Sequence, residues 1–194
     1  MKLLLQFSLV CFLLLSTGHA QKSPAPASGD RAPDLHLSVF KPDSVEINDW
    51  SDLAGKVVVI DFWATWCTPC IASFPHLNQL VKAFSDKDIV FISLTYEPGN
   101  LISPFLEKHK LNTIIATDTS FAMFRSYDAW AIPQVILVNK EGIIVSKLHP
   151  EYLTSAILED ALAGEIPDVE QVPGGLFDPK GAEEHFRSFL QRPK

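Results

Sequence analysis

The chain has 194 residues, 47% of them hydrophobic and 20% charged, with a formal net charge of −7. That length suits one domain with a sizeable core, and a mildly acidic balance without a basic stripe argues against a nucleic-acid partner. The cysteines are Cys11, Cys67 and Cys70, and their placement is more informative than their number.

The N-terminus reads MKLLLQFSLVCFLLLSTGHA, with Lys2 as a positive start, Leu3 to Leu15 as an apolar core and Gly18-His19-Ala20 as a small-residue cleavage site. This pattern predicts a signal peptide over residues 1–20, cut near Ala20, and export to the periplasm or cell envelope. The apolar run is short for a bilayer span and no second one follows, so no permanent anchor is expected. Lys2 is the only charged residue before Gln21, so cleavage takes the net charge from −7 to −8. Cys11 leaves with the signal, and Cys67 and Cys70 remain as an even pair suited to an oxidising compartment. Residues 21–32 are rich in Pro, Ala and Ser and are expected to be a flexible linker before a domain over 33–164.

Leu35 to Asp52 alternates well enough to predict an N-terminal hairpin, with Lys41-Pro42-Asp43 as its turn. Gly55-Lys56 then punctuates the entry to Val57-Val58-Val59-Ile60, a buried strand that runs through Asp61, Phe62 and Trp63. After Trp66-Cys67-Thr68-Pro69-Cys70 the apolar residues fall at helical spacing (Ile71, Phe74, Leu77, Leu80, Val81, Phe84). Cys67 therefore stands at the N-terminal edge of a helix, where open N–H groups and the macrodipole favour a thiolate and lower its pKa. Both sulfurs lie on the first helical turn, close enough for a reversible disulfide in which Cys67 attacks and Cys70 resolves. Pro69 stiffens that turn without losing a needed N–H. A zinc site would need further ligands, and a haem-attachment motif would need His where Ile71 stands. A purely structural bridge over so short a loop would constrain the unfolded chain very little. Pro75 falls inside the helix and should kink it.

Residues 88–95 (DIVFISLT) read as a second buried strand, and Ser103-Pro104 as the start of a helix running to Lys110. Glu97, after that strand, could share proton work at the cysteines or be a solvated loop acid. Thr113 to Thr117 reads as a short strand, followed by a helix capped by Asp118 or Thr119 and carrying Phe121, Met123 and Phe124 as core residues. Gln134 to Asn139 and Ile143 to Leu148 form a hairpin across Asn139-Lys140-Glu141-Gly142. A last helix covers Leu153 to Ala163, with Thr154 near its start and Gly164 past its end. Residues 165–194 form a Pro- and Gly-rich tail, with a possible short helix over 182–191.

VVVIDFWATWCTPC resembles the active-site segment of thioredoxin-fold proteins, and Tyr127 to Pro133 (YDAWAIP) resembles their segment ending in a cis-proline. With the signal peptide and an extra segment near 96–113, the chain is most similar to the TlpA/ResA-like envelope thiol–disulfide oxidoreductases, within the redoxin-type domains. The resemblance implies a thioredoxin-like α/β fold: a central mixed β-sheet flanked by helices, with an inserted helical segment. It implies that Asp61 accepts a proton from Cys70, that the cis bond before Pro133 faces Cys67, and that the Ile132 backbone receives a partner's extended chain. Trp66 and Trp130 would flank that groove. Asp61 has a plainer reading as a hydrogen-bonded core acid, and the tryptophans one as ordinary half-buried aromatics. In the TlpA/ResA-like group an acid often follows the second cysteine; Ser73 stands there, which leaves Asp61 as the candidate. Ala131 and Gln134 replace the usual Gly and Thr of thioredoxins, which implies a different choice of partner.

The expected activity is exchange, in the reducing direction, of disulfides in envelope proteins, by a monomer drawing electrons from a membrane thiol reductant. No metal or dissociable cofactor is implied, since the redox group is the cysteine pair itself. Two rivals stand beside it: a peroxiredoxin-type thiol peroxidase, and a disulfide-dependent binding or carrier module without turnover. The peroxidase would need its cysteine in a Pro/Thr-rich loop instead of a Trp-Cys-x-x-Cys.

Overall fold

The computed structural model describes residues 25–165 other than 43; the expected signal peptide and nearly all of the expected tail lie outside the described residues. Six strands are formed by Ser38–Lys41 (β1), Val57–Phe62 (β2), Ile89–Thr95 (β3), Ile114–Thr117 (β4), Gln134–Val138 (β5) and Ile144–Leu148 (β6). Four helices are formed by Thr68–Ala83 (α1), Gly99–Leu106 (α2), Ala122–Ser126 (α3) and Ser155–Ala163 (α4). The strands make one mixed sheet in the order β1-β4-β3-β2-β5-β6. β2 lies near its centre, parallel to β3 and antiparallel to β5.

All six residues of β2 are buried. Helices cover both faces of the sheet, so an unbroken apolar run suits this strand better than alternation. Val58, Ile60 and Phe62 belong to a core shared with Ile102 of α2, Met123 and Phe124 of α3, and Tyr127. Phe62 meets Phe124 edge-on with ring centroids 5.0 Å apart, and Tyr127 at 5.8 Å. Val57 and Val59 point the other way, into a core with Leu77 and Leu80 of α1 and Leu158 and Ala161 of α4. By strand alternation Asp61 shares this second face, under α1.

Several expectations from sequence need correction. The N-terminal hairpin does not form: β1 pairs antiparallel with β4, Ser38 opposite Thr117, and no second strand follows it among the described residues before β2. The chain instead makes a 3-10 turn over Trp50–Leu53, capped by the Asp49 carboxylate on the Ser51 N–H. The stretch expected as a flexible linker is tied down from Ser28 onward. Gly29 N–H donates to Ile144 O, Ala32 N–H to Gly142 O, and Ser28 Oγ to Val145 O.

α2 begins four residues before Ser103, with Pro98 as its N-cap, and Pro104 lies inside it. Starting at Gly99 places Ile102 in the core, fully buried, which outweighs the local start signal at Ser103-Pro104. A Cβ at Gly99 would stand 2.7 Å from the half-buried Phe40 ring, so a larger residue there would have to push the ring aside. α3 starts at Ala122 with Phe121, at φ 60°, in the N-cap position and not inside the helix as expected; Asp118 still reaches its first turn, Oδ2 accepting the Met123 N–H at 2.8 Å. α4 is capped by Thr154 on the Ile157 N–H and closed by Gly164 in the left-handed region, φ 82°.

Candidate active site

β2 ends at Phe62, and the next five residues carry the chain across the end of the sheet to α1. Trp63 N–H still bonds Leu94 O of β3 at 3.1 Å, and Cys67 N–H closes a turn onto Ala64 O at 3.0 Å. Cys67 is the N-cap of α1, and the Cys70 N–H donates to its Sγ at 3.3 Å. Ser, Thr, Asp or Asn normally fills such a position, so a sulfur there already receives an amide that would otherwise be open. Pro69 sits in the first turn and Pro75 in the interior of the 16-residue helix.

Cys67 and Cys70 are joined in a disulfide with Cα atoms 5.3 Å apart. Cys67 is 3% exposed and Cys70 1%. Both sulfurs are committed to each other, so the pair is a redox couple in its oxidised form.

Asp61 lies in β2 beside Ser93 of β3, and Ser93 Oγ donates to Asp61 Oδ2 at 3.0 Å. Burial pushes the carboxyl up to about 7, against the smaller opposing effect of the Ser93 hydrogen bond. An acid tuned to neutrality can take up and return a proton under ordinary conditions. Ser93 was legible in principle: Asp61 and Ser93 are each the fifth residue of an apolar strand, and parallel pairing sets equal offsets side by side.

The Ile132–Pro133 peptide is cis. Antiparallel pairing of Phe62 with Gln134 places Ile132 and Pro133 at the end of β5 from which β2 runs on toward Cys67. Ile132 and Trp130 are half-buried and pack against the core on the Phe62 side. Trp66 is different: it is 44% exposed, and its indole N–H donates to Tyr96 OH at 2.8 Å.

Glu97 corrects the reading of it as a solvated loop acid, since it is only 3% exposed. Its carboxylate meets Thr65, two residues before Cys67, at both oxygens. Sequence reasoning passed over Thr65, Tyr96 and Ser93 altogether.

A mixed sheet of this order defines a thioredoxin-like fold, and a Cys-x-x-Cys disulfide at the start of the helix after its central strand makes the protein a dithiol–disulfide redox protein. The chain belongs to the Redoxin family, whose model matches residues 27–162, and it is a thiol–disulfide oxidoreductase that acts through that disulfide. Among its relatives, the thiol-disulfide oxidoreductase ResA of Bacillus cereus is 25% identical over 167 residues, covering 81% of this chain and 94% of the relative. ResA of Halalkalibacterium halodurans is 28% identical over 150 residues, covering 77% and 82%. The crystal structure of the thioredoxin domain of a thiol-disulfide oxidoreductase from Bacteroides vulgatus superposes with a TM-score of 0.56 at 26% identity, covering 72% of this chain and 95% of that one.

Proposed function

We propose that this protein is exported and reduces disulfides in other envelope proteins, with Cys67 as the attacking sulfur and Cys70 as the resolving one. In the reduced protein the Cys67 thiolate attacks one sulfur of a partner disulfide. The partner's S–S bond breaks, its other sulfur leaves as a thiolate, and a Cys67–partner mixed disulfide forms. Asp61 takes the Cys70 thiol proton, and the Cys70 thiolate then attacks Cys67 Sγ. This releases the partner's second thiolate and closes the Cys67–Cys70 disulfide. Two electrons have passed to the partner, and a thiol reductant held at the membrane restores them.

The observation that carries this reading is the disulfide at the N-cap of α1, where the Cys70 N–H already points at Cys67 Sγ. Helix amides and the macrodipole stabilise negative charge on that sulfur, so Cys67 is the better nucleophile of the two near neutral pH. Asp61, buried with its pKa near 7, supports its role as the base. Trp66, Trp130, the Ile132 backbone and Pro133 form the receiving side for an extended partner chain, by strand addition beside the disulfide. Export rests on the N-terminal pattern over residues 1–20, with the working domain running from Ser28 through Gly164, the tail over 165–194 and a monomeric active unit. The two most exposed large apolar side chains among the described residues are Trp66 and Leu101.

The test is capture. Cys70→Ser in cells should accumulate a mixed disulfide between Cys67 and an envelope protein, which reductant releases. Cys67→Ser should capture none. Capture through Cys70 in the Cys67→Ser variant, with none through Cys67, contradicts the assignment.

A further inference from the structure

Two consecutive residues between β3 and α2, Tyr96 and Glu97, hold two consecutive residues that lead directly into Cys67. Glu97 Oε2 accepts the Thr65 backbone N–H at 2.6 Å, and Glu97 Oε1 accepts the Thr65 hydroxyl at 2.7 Å. Thr95 Oγ1 donates to Oε2 at 3.3 Å while accepting the Glu97 N–H at 3.2 Å. Thr117 Oγ1 of β4 donates to Glu97 O at 2.8 Å, which ties the acid to the next strand as well. Tyr96 OH accepts the Trp66 indole N–H at 2.8 Å, and its ring stacks on Phe121 with centroids 4.6 Å apart. Burial with Glu97 beside it pushes the phenol up to about 12, so it stays a neutral acceptor at working pH.

A buried carboxylate is costly unless donors meet its oxygens. Here two of the three donors to the carboxyl oxygens, one backbone and one side-chain, come from one residue of the loop that delivers Cys67. We propose that Tyr96 and Glu97 are positioning residues: they fix Thr65 and Trp66 so that Cys67 arrives at the N-cap of α1 with its sulfur over the amides of the first turn. This rests on the reading of Cys67 as the attacking sulfur. With the hold released, Cys67 samples positions away from those amides, and its thiolate loses their stabilisation.

The two obvious substitutions separate holding from charge. Glu97→Ala leaves the half-buried Thr65 N–H without its acceptor. Glu97→Gln keeps an amide oxygen for that N–H and offers an NH₂ to the Thr65 hydroxyl, which can accept as well as donate. The experiment follows thiolate absorbance of the reduced protein against pH, with alkylation and mass analysis to identify the cysteine that titrates first. Glu97→Ala should raise the Cys67 pKa by about one unit, a tenfold loss of thiolate below the pKa. Exchange with a small aromatic disulfide at such a pH should slow by roughly three- to fourfold, because the remaining thiolate is more nucleophilic. Glu97→Gln should stay within about twofold of the parent, since it keeps the hydrogen bonds.

An unchanged Cys67 titration in Glu97→Ala overturns the proposal, and so does a Gln variant as impaired as the Ala variant, which would assign the effect to charge. If Glu97→Ala does not fold, Thr65→Val removes only the hydroxyl contact and should move the Cys67 pKa in the same direction; no movement overturns the proposal. Tyr96→Phe removes the acceptor of the Trp66 indole N–H and should move the Cys67 pKa in the same direction as Glu97→Ala, by a smaller amount; an unmoved Cys67 titration refutes the part given to Tyr96. If Cys70 proves to be the thiol that titrates first, the assignment of attack to Cys67 fails, and this proposal fails with it.

Discussion

Replacing Asp61 by Asn keeps the size of the side chain and an oxygen that can accept from Ser93, but removes the charge. The parent carboxyl is buried and raised from 3.8 to about 7, with desolvation as the main cause. Between those values the folded chain holds a proton that the unfolded chain has lost. Stability owed to this group is therefore fully present below about pH 4, falls as pH rises, and is gone above about pH 7. The gap between 3.8 and about 7 corresponds to about 4 kcal/mol. Denaturant unfolding of the oxidised protein, parent and Asp61→Asn side by side, measures this without interference from thiol titration. The variant should gain on the parent by about 4 kcal/mol between about pH 4 and pH 8. A constant difference across that range refutes the reasoning, because it would mean that Asp61 titrates alike in folded and unfolded chains.

The remaining predictions concern neighbours of the site. Ser93→Ala removes the hydrogen bond that opposes desolvation, so the pH at which the Asp61 contribution is lost should move upward; an unmoved midpoint counts against the pairing. Phe62→Ala empties a fully buried site between Phe124 and Tyr127 and should cost about 3–5 kcal/mol in denaturant unfolding. A loss below about 1 kcal/mol would show that Phe62 does not pack between Phe124 and Tyr127 as described. Trp66→Ala alters a side chain 44% exposed, so stability should change by less than about 1 kcal/mol. Reduction of a protein disulfide should slow far more than that of a small one, and equal slowing would remove Trp66 from the receiving surface.

What was legible in the sequence followed from short-range rules. The run Val57 to Phe62, the Cys-x-x-Cys at a helix start and the hairpin of β5 and β6 each carry their signal within a few neighbouring residues. The N-terminal hairpin failed because strand alternation does not name a partner. Ser38 to Lys41 found the edge of β4, some eighty residues away, in preference to the segment just beyond Pro42. α2 failed in its start for a related reason: Ser103-Pro104 is a sound local cap signal, but the burial of Ile102 needs the helix to begin at Gly99. The cysteine pair was readable from residue type and spacing, and the burial of Asp61 from its position in an apolar strand. Glu97 was not, because its burial depends on donors from Thr65 and Thr95 that only the folded sheet brings to it.

Everything proposed for the protein requires the Cys67–Cys70 bond to open and close as an equilibrium. The direct measurement equilibrates the folded protein in a graded series of thiol and disulfide buffers, starting once from the oxidised and once from the reduced form. Alkylation and mass analysis then count the free thiols. Both series should converge on a single two-electron transition, with Cys67 and Cys70 appearing and disappearing together. A pair that stays closed across the series, or two starting forms that never meet, would contradict the assignment of redox exchange to this site.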